Sequence, residues 1–259
     1  MKGGMWELAW YVIVGFIAGI LDYSAGVGFG LVTSVILVSL SGVDPRVAAS
    51  VTSLVQIVNA IPATLSHYYK GNISVSSYYV IVSGIITLTS SIGALLAILY
   101  YIHLPLYIVN YIFVVTVVII TLLSWISYIG PRSASIDSRW GSIIAALGGF
   151  IAGVEKAVSG GGFSVVLVLI QRAAGIDIRS AIAGLPIVKL IPFSIISLFY
   201  MSSGFFDLNM FASLFVGGLA STMFAPRLLR KIDDRISLAI VTMLSIMAVL
   251  AVLVLPLLN

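Results

Sequence analysis

Cysteine is absent from this 259-residue chain, so it cannot build a disulfide, a thiolate metal site or any thiol chemistry. Two histidines are too few to lead one to expect a zinc enzyme, and no cofactor is expected. Charge is scarce as well: only 8% of residues are charged, and the net charge of +4 is too small and dispersed to point to nucleic acid. No polar stretch is long enough to hold a soluble domain.

What fills the chain instead is apolar. Of its residues 61% are hydrophobic and its mean hydropathy is +1.19, far above a soluble domain of this length. Apolar runs of roughly 20 residues recur along nearly the whole length, each able to cross a hydrocarbon core of about 30 Å at about 1.5 Å per residue. The lipid bilayer is therefore the first partner, and basic residues are read as topology signals. The opening run, Met1 to Gly26, has the outline of a secretory signal peptide. Its pattern returns in mid-chain, however, so it is read as a mature helix.

The chain repeats itself. Gly15-Phe16-Ile17-Ala18-Gly19 returns 134 residues later as Gly149-Phe150-Ile151-Ala152-Gly153, and the same offset lays Gly26, Gly28 and Phe29 over Gly160, Gly162 and Phe163. At an offset of 133, Gly42-Val43-Asp44-Pro45-Arg46 lies over Gly175-Ile176-Asp177-Ile178-Arg179, and Gly71 over Gly204. We read two membrane repeats, residues 1–130 and 142–259, joined by a polar cytoplasmic linker at 131–141.

Each repeat reads as one long interrupted segment followed by three ordinary spans: 6–40, 45–66, 75–101 and 105–129, then 142–171, 178–202, 207–229 and 235–257. All are helical, because in lipid only helices and closed barrels satisfy the backbone, and continuous apolar runs are not a barrel pattern. A straight helix of 35 residues would run to about 52 Å, well beyond the membrane core. Folding each interrupted segment into a hairpin gives each half an odd number of crossings and inverts the halves. It also gathers Lys70, Arg132, Arg139, Arg172, Arg179, Arg227, Arg230, Lys231 and Arg235 on the cytoplasmic side, leaving Lys2 and Arg46 outside. The expected fold is an all-α polytopic bundle of two inverted repeats with both termini outside.

Inverted repeats with glycine-interrupted segments at matching positions point to a secondary transporter with a site near the bilayer midplane. Backbone N–H groups freed at a half-helix start suit an anion. Ser159, Gly160, Gly161 and Gly162 are candidates for such a nest, as are Ser24, Gly26 and Gly28. Gly15, Gly19, Gly149 and Gly153, spaced by four, suit close helix packing. Lys189 falls in the middle of an apolar span, where a charge costs about 2.5 to 3.5 kcal/mol. With Lys156 it is either an anion-binding cation or half of an ion pair with Glu155 or Asp22. Gln56, its counterpart in the first repeat, is expected to supply an amide to the same site. Asn59 serves either substrate or backbone freed near Pro62, and Pro62 and Pro192 are expected to kink their helices. Asp22 and Glu155 are open between proton coupling, countercharge and polar rim. Asp44 and Asp177 are read as N-caps and Arg46 and Arg179 as interfacial anchors. His67, His103, Tyr68, Tyr69, Tyr100 and Tyr101 are read as membrane-interface residues.

The duplicated "GFIAG" elements with their glycine-rich sequels, the "GVDPRVAASVTS" helix start and the "YYKGNIS" turn resemble the sulfite exporter TauE/SafE family over residues 10 to about 235. The resemblance implies a multi-pass plasma-membrane carrier for sulfite, sulfonates or related anions, with export as its direction. Glu155 and Lys156 stand where small or apolar residues are common in that family, which suggests a different or larger anion. The leading expectation is thus an alternating-access carrier of a small sulfur-containing anion, not an enzyme, with a passive anion channel as the alternative. A homo-oligomer is left open.

Overall fold

The computed structural model describes residues 5–73, 76–129, 138–231 and isolated positions between 236 and 250. Within them all regular structure is helical: α1 (Met5–Ala25), α2 (Phe29–Ser41), α3 (Pro45–Tyr69), α4 (Ser77–Tyr101), α5 (Leu106–Ile129), α6 (Ser138–Ser159), α7 (Phe163–Ala173), α8 (Ile178–Val188), α9 (Leu190–Ser202) and α10 (Leu208–Leu229). Six of these are long and apolar enough to cross a membrane, and α8 with α9, bent by 41° at their break, bring the number to seven if the pair is one span. Of the expected linker, 138–141 belong to α6 and 131–137 lie outside the described residues, as does most of the expected span at 235–257.

Glycine breaks the two long segments where the sequence places it. Gly26 and Gly28 take φ of 72° and 96°, and Gly160 and Gly162 take 69° and 65°, a region that residues with a Cβ rarely enter. After each break the chain turns back. The Tyr11 side chain, early in α1, meets Ser41 at the end of α2. Gly141, at the start of α6, lies against Ala174 just beyond α7. The arms are unequal, with 21 and 13 residues in the first hairpin and 22 and 11 in the second.

The long arms are held by helices of the opposite half. A Cβ at Gly15 or Gly19 of α1 would collide with Leu214 or Ser221 of α10, and one at Gly149 or Gly153 of α6 with Ile86, Thr89 or Ser90 of α4. Where lipid gives little drive for helix association, such close backbone approach is what packing energy requires.

Contacts sort the helix ends into two groups. At one end, the Asn72 amide donates to the Pro226 carbonyl (2.9 Å) and the Tyr78 hydroxyl to the Ala174 carbonyl (3.1 Å). This gathers the ends of α3, α7 and α10 with the starts of α4 and α8, and therefore Lys70, Arg172, Arg179, Arg227, Arg230 and Lys231. At the other end, Arg46 donates to the Ile102 and Leu104 carbonyls (3.3 and 3.1 Å) and lies 4.2 Å from the Phe205 ring centroid.

Asp44 and Asp177 cap their helices as expected, accepting from the backbone N–H groups of Arg46 (2.8 Å) and Arg179 (3.0 Å). Arg46 itself is no surface anchor. It is 8% exposed, because Asp44, two carbonyls and an aromatic ring satisfy its guanidinium inside the protein. α3 runs through Pro62 as one helix to Tyr69. The second-half equivalent does break, at Lys189, where Pro192 has no N–H for the Val188 carbonyl one turn earlier. His67 and Tyr101 depart from the interfacial reading too. Both are buried, His67 under Asn72 and Tyr101 by donating to the Val109 carbonyl (3.1 Å). Tyr68, Tyr69 and Tyr100 are exposed as expected.

Candidate anion site at the meeting of two half-helices

The turns at the two breaks face each other. Gly161 packs on Leu31 and Gly30 of α2, and Gly28 lies beside Ser164 of α7. The starts of α2 and α7, short helices from opposite halves, therefore converge. Their N-caps are Gly28 and Gly162, and neither helix receives a side-chain cap. A helix start carries backbone N–H groups without intrahelical acceptors and roughly half a positive charge. Two such starts meeting without a side-chain cap favour an anion.

Between them runs a narrow crevice that a water-sized sphere does not enter in this conformation. Gly28 and Gly30 of the first break, and Gly161 and Gly162 of the second, form its backbone walls. Gln56 and Lys156 supply polar side chains, Ser164 a hydroxyl, and Phe163 and Phe193 an aromatic wall with ring centroids 4.8 Å apart.

Lys156 is 1% exposed. Its ammonium donates to the Gly160 carbonyl (2.6 Å) and the Thr52 hydroxyl (3.1 Å), and it stands 4.6 Å from the Phe193 ring centroid. No carboxylate pairs with it among the described residues. Glycine at position 30 is required by this placement, since a Cβ there would sit 2.7 Å from the ammonium and closer still to the Gly160 carbonyl oxygen.

Lys189 is paired. Its ammonium donates to Asp22 (2.7 Å) and to the Gln56 carbonyl oxygen (3.0 Å), while Gln56 anchors itself by donating to the Thr52 carbonyl (3.1 Å). The other Asp22 oxygen accepts from Ser164 (2.8 Å), so one carboxylate ties α1, α7 and the α8–α9 break together. Glu155 accepts from the Ser159 hydroxyl, and its second oxygen has no partner among the described residues. Ser159 also accepts from the Gly161 N–H (3.0 Å), which fixes the second turn from within.

The structure brings Lys156, Lys189, Gln56, Asp22, Gly28 and the Gly160 to Gly162 turn into one neighbourhood. It separates two of the expected residues from it. Ser24 donates back to its own helix at Ile20 (2.5 Å), and Asn59 lies against Gly218 of α10 with neither end of its amide hydrogen-bonded among the described residues. Gly26 packs on Val168 and Ile182, serving the turn but not the crevice. Glu155 and Ser159 sit behind the turn. Residues that sequence reasoning passed over are Thr52, Ser164 and Phe193. Two of them carry a helical signal, Thr52 one turn before Gln56 and Phe193 one turn after Lys189.

Comparison with known proteins gives one finding: the family model described as sulfite exporter TauE/SafE matches residues 11–251, nearly the whole chain. Searches of curated proteins and of solved structures each return no match.

Proposed function

The chain belongs to the sulfite exporter TauE/SafE family, and from that premise we propose that it is a secondary carrier that binds a sulfite- or sulfonate-like anion in the crevice between α2 and α7. The observation that carries this reading is Lys156, a buried cation without a carboxylate partner among the described residues, placed where two uncapped helix starts converge. An oxyanion head there would take backbone N–H groups from both halves and the Lys156 ammonium. The faces of Phe163 and Phe193 would border any carbon attached to it.

The transport cycle follows from the same arrangement. Each half supplies one short helix to the site, and the long arms are braced on the opposite half, so rocking of one half against the other would widen the crevice from either end. The two repeats, if inverted as the sequence predicts, would support alternating access about a central site. The cluster of six cations around the ends of α3, α7 and α10 supports a cytoplasmic assignment for that end. Asp22 holds the Lys189 cation and the Ser164 hydroxyl as a substrate anion would, and loss of its charge would end the ion pair with Lys189. Asp22 is on this ground a proposed proton-coupling group, and Glu155, with one carboxylate oxygen without a partner among the described residues, is the other. Export follows the family.

Flux into proteoliposomes tests the proposal. Saturable uptake of labelled sulfite, isethionate or taurine with counterflow is expected, and Lys156→Met should weaken it. A linear, voltage-driven current without counterflow would establish the passive channel instead.

A further inference from the structure

His67 and Asn72 lie outside the crevice, at the end where the cations gather, and both are buried, at 0% and 2% exposed. Gly71, at φ 63°, ends α3 and turns the chain so that Asn72 folds back under the ring. The Asn72 amide nitrogen stands 2.9 Å from the Pro226 carbonyl oxygen of α10 and 3.2 Å from His67 Nδ1. A carbonyl oxygen only accepts, so the group facing it is the NH₂, which leaves Nδ1 as the acceptor of its second hydrogen. The imidazole is thereby held neutral with its proton on Nε2, which has no partner among the described residues.

We propose that His67 and Asn72 form a clasp between α3 and α10 that a proton opens. This rests on the alternating-access reading and adds to it the group that holds one end shut. A proton taken from water onto Nδ1 turns that atom into a donor facing a donor. To offer its oxygen instead, Asn72 must rotate and give up the Pro226 carbonyl, and the hydrogen-bonded tie between the two halves is lost. Around the ring, α1 contributes Asp22, which acts on it electrostatically, and Tyr23, which packs against Ala63 one turn before the histidine. Lys70 of the α3 end is half-buried, Arg227 of α10 is exposed, and α4 carries no charged residue.

The duplicated chain makes the clasp one-sided. At the same 133-residue offset, His67 corresponds to Tyr200 and Asn72 to Phe205. Those two meet edge to face at 6.2 Å beside Arg46, a closure without an imidazole. The imidazole clasp is therefore built into one end of the carrier only.

The test needs no substrate, so its failure leaves the transport reading standing. Because the chain has no cysteine, Tyr69→Cys on α3 and Leu228→Cys on α10 can be spin-labelled alone, both positions being exposed. Pulsed dipolar spectroscopy in nanodiscs should show a longer inter-label distance growing in as the pH falls from 8 to 4. His67→Gln, which still accepts from Asn72 but does not titrate, should keep the short distance throughout, and Asn72→Ala should show the long one already at pH 8. A wild-type distance that ignores pH, or a His67→Gln protein that follows wild type, overturns the proposal. Should His67→Gln not reconstitute, a short distance in Asn72→Ala at pH 8 overturns it as well.

Discussion

Replacing Asp22 by asparagine keeps the outline of the side chain and removes the charge that holds Lys189. The two groups are 2.7 Å apart with side chains 0% and 2% exposed. Coulomb attraction at that separation is about 6 kcal/mol with an effective dielectric near 20. Much of it offsets the cost of burying both ions, so the loss on breaking the pair is expected at about 3 to 5 kcal/mol, the range for stranding one member of a buried pair. Reversible unfolding in mixed micelles with increasing dodecyl sulfate measures this. The Asp22→Leu, Lys189→Met double variant should recover much of the loss, because an apolar pair strands no charge. A cycle built from Asp22→Leu, Lys189→Met and that double variant should give a coupling above about 1 kcal/mol. Sulfite or isethionate should stabilise Asp22→Asn more than wild type, since an added anion then takes the position of the lost carboxylate. If Asp22→Asn unfolds with wild type, or the two single losses simply add in the double variant, the pair does not hold these helices as argued.

Other positions test the same geometry. Gly161→Ala places a Cβ 2.8 Å from the Leu31 Cα, backbone against backbone, and should cost about 1 to 3 kcal/mol and abolish flux. Lys156→Met should raise the half-saturating anion concentration at least tenfold in proteoliposomes while leaving the detergent melting temperature at or above that of wild type, as removal of a lone buried charge allows. Arg46→Gln gives up the Asp44 pair and the Phe205 face, and should increase labelling of a cysteine at Ser50 by impermeant maleimide from the Arg46 end. Gly153→Val drives a side chain into the Ser90 backbone and should prevent recovery of folded protein.

Much of this architecture is legible in the residues because backbone requirements leave marks. The doubled GFIAG pattern reports where helices touch at backbone distance, and the glycines at 26, 28, 160 and 162 report where the chain turns. Lys156 and Lys189 announce themselves as charges where lipid allows none. What escapes is partner choice across long separations. The sequence offers Lys189 both acids, and only the fold selects Asp22, 167 residues away, over the much nearer Glu155. Asn59 shares a helix side with Gln56, yet three residues of rotation turn it toward Gly218 and away from the crevice. His67 looks interfacial until a carbonyl 154 residues beyond Asn72, at Pro226, is tied over it by that side chain.

The bracing of α1 on α10 has a bearing on biogenesis. The Gly15 and Gly19 face enters the bilayer some 200 residues before its cradle is synthesised, roughly 10 to 40 s at bacterial and eukaryotic elongation speeds. During that interval the exposed groove must rest against lipid or an insertase. A fragment ending before α10 would stay a loose set of inserted helices, and splitting the gene between its repeats should yield a working protein only when both pieces are made together.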